Sequence, residues 1–86
     1  MNYRTFITDA AREDLAKLPA TARGHLARRI DRLESGDFAD SSDLPVADPD
    51  PDVRLKAVRV TPKIRVVYGA RETKRMVVIV RMEQGF

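Results

Sequence analysis

Apolar positions at the start of the chain follow a strand-like spacing and then a helical one. The stretch YRTFIT is rich in aromatic and β-branched residues, which predicts a first strand. A short helix is predicted next, with Thr8 or Asp9 as its N-cap. Its apolar face consists of Ala11, Leu15 and Leu18. Pro19 should end this helix, because the residue before a proline is pushed out of helical geometry.

A second, longer helix is predicted over the segment ATARGHLARRIDRLESG. Its apolar positions fall at i, i+4 and i+7 and are Leu26, Ile30 and Leu33. Gly36 supplies the stop. The opposite face carries four arginines, which are Arg23, Arg28, Arg29 and Arg32. We expect this face to be solvated and partly paired with Asp31 and Glu34.

The last third of the chain shows the period of two that is typical of strands, and it predicts strands at about 53–60, 63–69 and 75–83. In the second of them, Ile64, Val66 and Tyr68 alternate with Lys63, Arg65 and Val67. In the third, the alternation places Arg81 and Glu83 on the same side. The pattern therefore predicts one open sheet face that carries Lys63, Arg65, Arg81 and Glu83.

The first of these three strands breaks the alternation. Arg54 and Lys56 point outward if Leu55 points inward, but Arg59 then falls on the inner face. Burying an unpaired guanidinium is costly. We therefore predict a one-residue bulge near Ala57-Val58, which returns Arg59 to the outer face.

Between the helices and these strands, the segment DFADSSDLPVADPDPD (residues 37–52) is predicted to be a loop. It holds three prolines and six aspartates and shows no periodicity. Its negative charge either folds back over the basic sheet or stays mobile, and we favour the mobile state. A divalent-cation site is disfavoured, because the glycine-centred spacing of a calcium loop is missing.

Length and composition narrow the class of protein. Eighty-six residues make one domain, spanning residues 1–86, with a single modest core. At 43% hydrophobic and 34% charged, the chain is too apolar for disorder, and it holds no apolar run of the roughly 20 residues that a bilayer requires. It has no cysteine, one histidine and no signal-peptide pattern at its start. We expect a cytoplasmic protein with no membrane contact, no metal and no cofactor.

The net charge of +3 hides an uneven distribution. Residues 53–86 carry nine cations against Glu72 and Glu83, whereas residues 37–52 carry only anions. Such a concentrated positive field suits a polyanion, with nucleic acid first and an acidic protein second, although a merely solvated basic face is the alternative. The candidate nucleic-acid-binding residues are Arg54, Lys56, Arg59, Lys63, Arg65 and Arg81.

The order of these elements, ending in basic strands that contain PKIRVVYGA, resembles the RelE/ParE superfamily, the small bacterial toxins of toxin–antitoxin pairs. The stretch IRVVY is similar to that family's "yRlvY" strand, and the resemblance covers nearly the whole chain. It implies an α+β fold of the microbial-ribonuclease type. Two N-terminal helices would pack on one face of a twisted antiparallel sheet, in the order β-α-α-β-β-β.

The resemblance also implies a function and partners. RelE-like members cut messenger RNA in the ribosomal A site without a metal, whereas ParE-like members poison DNA gyrase. A degenerate toxin that only binds is a third possibility. A cognate antitoxin is expected, laying acidic residues near the basic face. The oligomeric state is left open.

Residue by residue, Arg65 matches the family arginine that stabilises the scissile phosphate. Arg54 and Lys56 stand near the family's alternating lysines, which act on the attacking hydroxyl. The end of the chain, RMEQGF, departs from the pattern, since Gln84 and Gly85 stand about where a histidine and an arginine would be. This departure weakens the expectation of cleavage.

Metal-free RNA cleavage requires a base for the 2′-hydroxyl, an acid for the leaving oxygen and cations for the phosphate. The residues expected to supply the cations are Arg54, Lys56, Arg65 and Arg81. Lys56 is a candidate base, because crowding by other cations lowers the pKa of a lysine. Glu83 is the other candidate, and the alternative for it is a salt bridge to Arg81 or Lys63.

Overall fold

The computed structural model describes residues 2–45 and 52–85. Its helices and strands, in chain order, are β1 (Arg4–Ile7), α1 (Asp9–Ala16), α2 (Ala20–Glu34), β2 (Ser42–Asp43), β3 (Val53–Thr61), β4 (Ile64–Arg71) and β5 (Met76–Gln84). They form one sheet in the order β1-β5-β4-β3-β2. The predicted α+β class, with two helices packed on a sheet, is confirmed. The sheet is mixed, since β1 runs parallel to β5 while the other pairs are antiparallel.

The start of α1 follows the capping prediction. The side chain of Thr8 accepts a hydrogen bond from the backbone N–H of Ala11, and its hydroxyl donates to the carbonyl of Val80 on β5. The cap therefore also fastens the helix to the sheet. Pro19 has a different role from the predicted one. Helix α1 already ends at Ala16, and Pro19 is the N-cap residue of α2.

The core lies between the two helices and one face of the sheet. Its largest fully buried side chains are Tyr68, Leu33, Ile79, Val66 and Val77. The predicted inward set of β4 is confirmed, because Ile64, Val66 and Tyr68 are all buried. Helix α2 ends as predicted, with Gly36 at a φ of 87°, a left-handed conformation that glycine adopts without strain. Within the described ranges, no helix is long and apolar enough to cross a membrane.

The predicted bulge near Ala57-Val58 is wrong. Pairing between β3 and β4 runs without interruption through these two residues, and the register shifts instead between Arg59 and Thr61. A second shift lies in β5, where Val80 is the extra residue of the strand. Both positions lie beside segments in which apolar residues occupy both faces, so alternation alone could not locate the insertion.

The bulge at Val80 interrupts the alternation of side chains along β5. Ile79 and Met82 are three residues apart, yet both are buried in the core. A regular strand would send them to opposite faces, and the extra residue between them cancels that alternation. Val77 and Ile79 therefore belong to the helix-covered face, while Arg81 and Glu83 keep their predicted place opposite β4.

The absence of a bulge at residues 57–58 also changes the position of two predicted site residues. Lys56 is the cross-strand partner of the buried Tyr68, so it lies on the helix-covered side of β3. Arg54, two residues earlier, lies on that side as well. The prediction that these two cations share the open face with Arg65 is therefore wrong, whereas the prediction for Arg59 holds, since Arg59 pairs directly with Arg65.

The first part of the acidic segment is ordered against the domain rather than mobile. Ser42 and Asp43 pair with β3 as an edge strand, and the N–H of Leu44 donates to the carbonyl of Leu55 at 2.9 Å. Residues 46–51, the remainder of the predicted loop apart from Asp52, lie outside the described residues.

Candidate nucleic-acid interface

A row of three charged side chains crosses the open face of the sheet. Arg59 on β3 lies opposite Arg65 on β4, and Arg65 lies opposite Glu83 on β5. Side chains that face one another on adjacent strands are close enough to interact. The row forms because these three residues are cross-strand partners, so their side chains point to the same face of the sheet.

Arg65 is held within this row by two hydrogen bonds. Its Nε and one terminal nitrogen donate to Oε1 of Glu83 at 2.9 and 2.6 Å. Neither side chain is deeply buried, with 36% and 41% of their surfaces exposed. The predicted partners of Glu83, Arg81 or Lys63, are therefore replaced by Arg65. A guanidinium carries five N–H donors in a planar fork, and such donors suit a phosphate.

Arg59 is oriented by the turn that follows its own strand. One terminal nitrogen of its guanidinium donates to the carbonyl of Pro62 at 2.8 Å. The side chain is exposed on the open face of the sheet. Arg59 and Arg65 thus present two forked cations side by side, and this geometry favours bidentate contacts with phosphate oxygens.

A cleft of about 340 Å³ opens beside these two arginines. Its lining comprises Asp40, Ser42, Leu44, Ala57, Arg59 and Arg65. The cations come from β3 and β4, while the other polar groups come from the segment that leads into β2. The cleft therefore combines an anion-binding end, an apolar part and a wall that bears one carboxylate and one hydroxyl.

Two arginines of α2 fix the carboxylate of this wall. Oδ2 of Asp40 accepts hydrogen bonds from Arg29 and Arg32, each at 3.1 Å, and Arg32 also binds Asp37 at 2.9 Å. These bonds, with the one from Arg29 as the largest contribution, lower the pKa of Asp40. The predicted helix partners of these arginines, Asp31 and Glu34, were wrong. The carboxylates come from beyond the helix, since Asp37 and Asp40 lie just after its end.

The wall is also anchored to the core. The hydroxyl of Ser41 hydrogen-bonds with the hydroxyl of Tyr68, whose ring is fully buried. Burial raises the pKa of Tyr68. Phe38 packs between Tyr68 and Tyr3, with ring centroids 6.0 and 5.2 Å away. Ser41 stands between the cleft residues Asp40 and Ser42, so this contact ties the wall of the cleft to the core.

Arg81 is the next cation along β5, but its charge is bound elsewhere. Its Nε donates to Oδ2 of Asp14 on α1 at 3.0 Å, and the same oxygen accepts the backbone N–H of Met82 at 3.0 Å. The bond from Met82 is the largest cause of the lowered pKa of Asp14. Asp14 thus accepts a backbone N–H of β5 at a position beyond the end of β1, and it also fixes Arg81 at that edge of the sheet.

The other predicted site residues lie away from the cleft. Lys56 donates to Asp43 at 2.7 Å, and this bond is the main cause of the lowered pKa of Asp43. Arg54 pairs with Glu72 at 3.9 Å. Lys63 is exposed in the turn between β3 and β4. The argument for Lys56 as a base depended on crowding by other cations, and the structure places a carboxylate beside it instead.

Sequence reasoning placed Arg59, Arg65 and Glu83 on the open face but did not predict the opposite wall of the cleft. Asp40 and Ser42 fall in a segment without periodicity, and the short pairing of β2 leaves no pattern that would place them. Within residues 2–45 and 52–85, no group of three or more histidine, cysteine, aspartate or glutamate side chains is placed to hold a metal ion.

Comparison with known proteins identifies the fold. No protein-family model matches the chain, and no curated protein matches it in sequence. Solved structures do match. The archaeal RelE–RelB complex from Pyrococcus horikoshii has a TM-score of 0.83 at 22% identity, over 98% of this chain and 96% of that one.

Two bacterial structures agree with it. The RelBE2 toxin–antitoxin complex of Mycobacterium tuberculosis has a TM-score of 0.65 at 21% identity, over 99% of this chain and 100% of that one. The isolated E. coli RelE toxin has a TM-score of 0.69 at 22% identity, over 98% of this chain and 85% of that one. The resemblance read from the sequence is thus confirmed at the level of the fold.

Proposed function

Because this chain has the fold of the RelE toxins, we propose that it is the toxin component of a toxin–antitoxin pair. We further propose that it acts as a ribosome-dependent, metal-free endoribonuclease that cuts messenger RNA and so inhibits translation. The observation that carries this proposal is the pair Arg59 and Arg65, two adjacent guanidiniums beside a cleft on the open face of the sheet.

The chemistry follows from the positions of these groups. Cleavage by the 2′-hydroxyl builds negative charge on the phosphate, and guanidinium donors beside that phosphate stabilise the charge. Arg65 and Arg59 take this role. Glu83, whose carboxylate is bound to Arg65, is the candidate base for the 2′-hydroxyl proton, which would pass to one of its oxygens. As the 2′-oxygen bonds to phosphorus, the bond between phosphorus and the 5′-oxygen breaks, and water supplies the proton that the leaving 5′-oxygen takes up. Lys63, exposed in the turn between β3 and β4, extends the positive surface along which the RNA backbone would lie.

Arg54 and Lys56 receive no part in this chemistry, because they lie on the other side of β3 from Arg59 and Arg65. That placement favours one alternative. A RelE-like site with its alternating cations turned away from the cleft suits a non-cleaving toxin, for which DNA gyrase is the candidate target.

The proposed partner is an acidic antitoxin segment. Two of the similar structures are complexes of RelE-type toxins with their antitoxins. On this chain the open face offers an exposed Phe6 on β1 together with the basic row, a combination that suits an amphipathic, acidic peptide. A ribosomal target places the protein in the cytoplasm.

Induced expression in growing bacteria tests the proposal, with messenger ends and DNA breaks read in parallel. The wild-type chain should arrest growth and generate new messenger ends, and Arg65→Ala should abolish both. Arg28→Ala is the matched control, since it removes the same charge from an exposed position on α2. DNA breaks with intact messenger would instead support the gyrase alternative, and harmless expression would reject the toxin proposal.

A further inference from the structure

The polar groups of the cleft differ in what they can recognise. Arg59 and Arg65 only donate hydrogen bonds, and the hydroxyl of Ser42 both donates and accepts. An ionised Asp40 only accepts. Ser42 can therefore bind a base edge that presents either a hydrogen-bond donor or an acceptor, whereas Asp40 can bind only one that presents a donor.

The orientation of Asp40 is fixed before any ligand arrives. Both arginines of α2 bind the same oxygen, Oδ2, at 3.1 Å. Oδ1 is the oxygen that the hydrogen bonds among the described residues leave for a ligand. The neighbouring guanidiniums also lower the pKa of Asp40, which keeps it ionised at neutral pH. The carboxylate is thus a positioned acceptor rather than a loosely held surface charge.

The dimensions of the cleft limit what can occupy it. A volume of about 340 Å³ is near the lower end for small-molecule sites, so it suits one nucleotide rather than a folded helix of RNA. Leu44 and Ala57 offer apolar contact for a sugar or a base face. With a phosphate on Arg59 and Arg65, the base of the same nucleotide lies toward the opposite wall.

We propose that Asp40 is a specificity-determining residue, which accepts a hydrogen bond from the exocyclic amino group of the base bound in this cleft. Cytosine presents such an amino group at the position where uracil presents a carbonyl oxygen. The cleft therefore selects cytosine over uracil, because the uracil carbonyl faces a carboxylate to which it cannot donate. This inference rests on the proposed function, since it takes the ligand to be RNA.

Hexanucleotides of cytidylate and of uridylate provide the test, because their backbone charge is equal and their bases differ in this edge. Labelled oligonucleotides are titrated with the purified protein and followed by fluorescence anisotropy at one fixed salt concentration. Since Asp40 is partly exposed, we expect the cytidylate to bind about fivefold more tightly to the wild-type protein.

Asp40→Asn is the decisive variant. Arg29 and Arg32 only donate, so the amide oxygen of asparagine turns toward them and its NH₂ group takes the place of Oδ1. The acceptor becomes a donor, and the preference should vanish or invert toward uridylate. Asp37→Asn is the matched control, because Asp37 binds the same Arg32 but does not line the cleft. It should keep the wild-type preference.

The outcomes separate this inference from the proposed function. Equal binding of both oligonucleotides by the wild-type protein would overturn the role of Asp40, as would an unchanged preference in Asp40→Asn or an equal shift in Asp37→Asn. Arg65→Ala should weaken both oligonucleotides alike, and that result would keep the phosphate site even if the base selection failed. Binding of neither oligonucleotide to the wild-type protein would overturn the base selection by the cleft, whereas the proposed ribosome-dependent function is rejected separately, by harmless induced expression.

Discussion

The hydrogen bond between Tyr68 and Ser41 yields a quantitative prediction about the wall of the cleft. Tyr68 is 0% exposed, whereas Ser41 is half-buried. Removal of either partner leaves the other without its hydrogen bond, but the two orphaned groups differ in their access to water. We therefore expect Ser41→Ala to destabilise the domain more than Tyr68→Phe does.

The magnitudes follow from that difference. Tyr68→Phe loses one hydrogen bond while the serine hydroxyl can turn to solvent, which costs about 1 kcal/mol. Ser41→Ala leaves a phenol hydroxyl unpaired in the core, which costs about 2–3 kcal/mol. The double variant should cost about as much as Tyr68→Phe alone, so the coupling free energy is about 2 kcal/mol. For a domain of this size, 1 kcal/mol corresponds to about 4–8 °C in melting temperature.

Urea unfolding followed by circular dichroism measures all three variants, with Ser42→Ala as the control. Ser42 is the exposed neighbour of Ser41, and its substitution should change the free energy of unfolding by less than about 0.5 kcal/mol. If the two single effects simply add, within about 0.5 kcal/mol, the hydrogen bond does not anchor the wall and the reasoning is refuted.

Three further predictions follow from other contacts. Glu83→Gln should tighten RNA binding, because Arg65 loses its counter-charge, and it should slow cleavage, because the candidate base is gone. Glu72→Gln is the control in the same binding and cleavage assays and should change neither, because its ion pair with Arg54 lies away from the cleft. The pKa of Asp14 in the folded protein lies below its usual 3.8. The ionised Asp14 therefore contributes its full stabilisation of the folded state above pH 3.8, and this stabilisation is lost as the pH falls through the lowered pKa. The melting temperature should therefore decrease as the pH is lowered below about 4, and it should decrease less steeply in Asp14→Asn. Leu33→Ala, at a core position with 1% exposure, should cost about 2–5 kcal/mol in urea unfolding, and a cost under about 1 kcal/mol would contradict the assigned core.

Most of the fold could be predicted from periodicity. The helices carry a clear 3.6-residue pattern, and in β4 the burial of Ile64, Val66 and Tyr68 on one face leaves the charged Arg65 on the other. These segments have one apolar and one polar face, so burial decides between them. The same logic placed Arg65 correctly on the open face.

The bulges could not be predicted in the same way. In β3, Ala57 and Val58 are both apolar, and in β5 the run from Met76 to Val80 is apolar on both faces. An extra residue can then be inserted at several places without exposing a hydrophobic side chain or burying a charge. Tertiary packing selects the place, and with it the side of β3 on which Lys56 lies.

The ion pairs could not be predicted from neighbouring residues in the sequence either. The basic strands contain few carboxylates, yet Arg81 binds Asp14, which is 67 residues away in the chain, and Lys56 binds Asp43 across the edge of the sheet. A count of charges along one segment of the sequence misses the carboxylates that folding brings to that segment from distant parts of the chain. The net positive surface is consequently smaller than the local count suggests, and the part that remains beside the cleft is the pair Arg59 and Arg65.

Cleavage of messenger by the purified protein in a translation extract tests the central claim most directly, with wild type, Arg65→Lys and Arg65→Ala compared after circular dichroism has verified folding. We predict that the wild-type protein cuts, that Arg65→Ala loses at least about a hundredfold in rate, and that Arg65→Lys lies between them, since it keeps the charge but not the forked donors. Cleavage by Arg65→Ala at the wild-type rate would contradict the account.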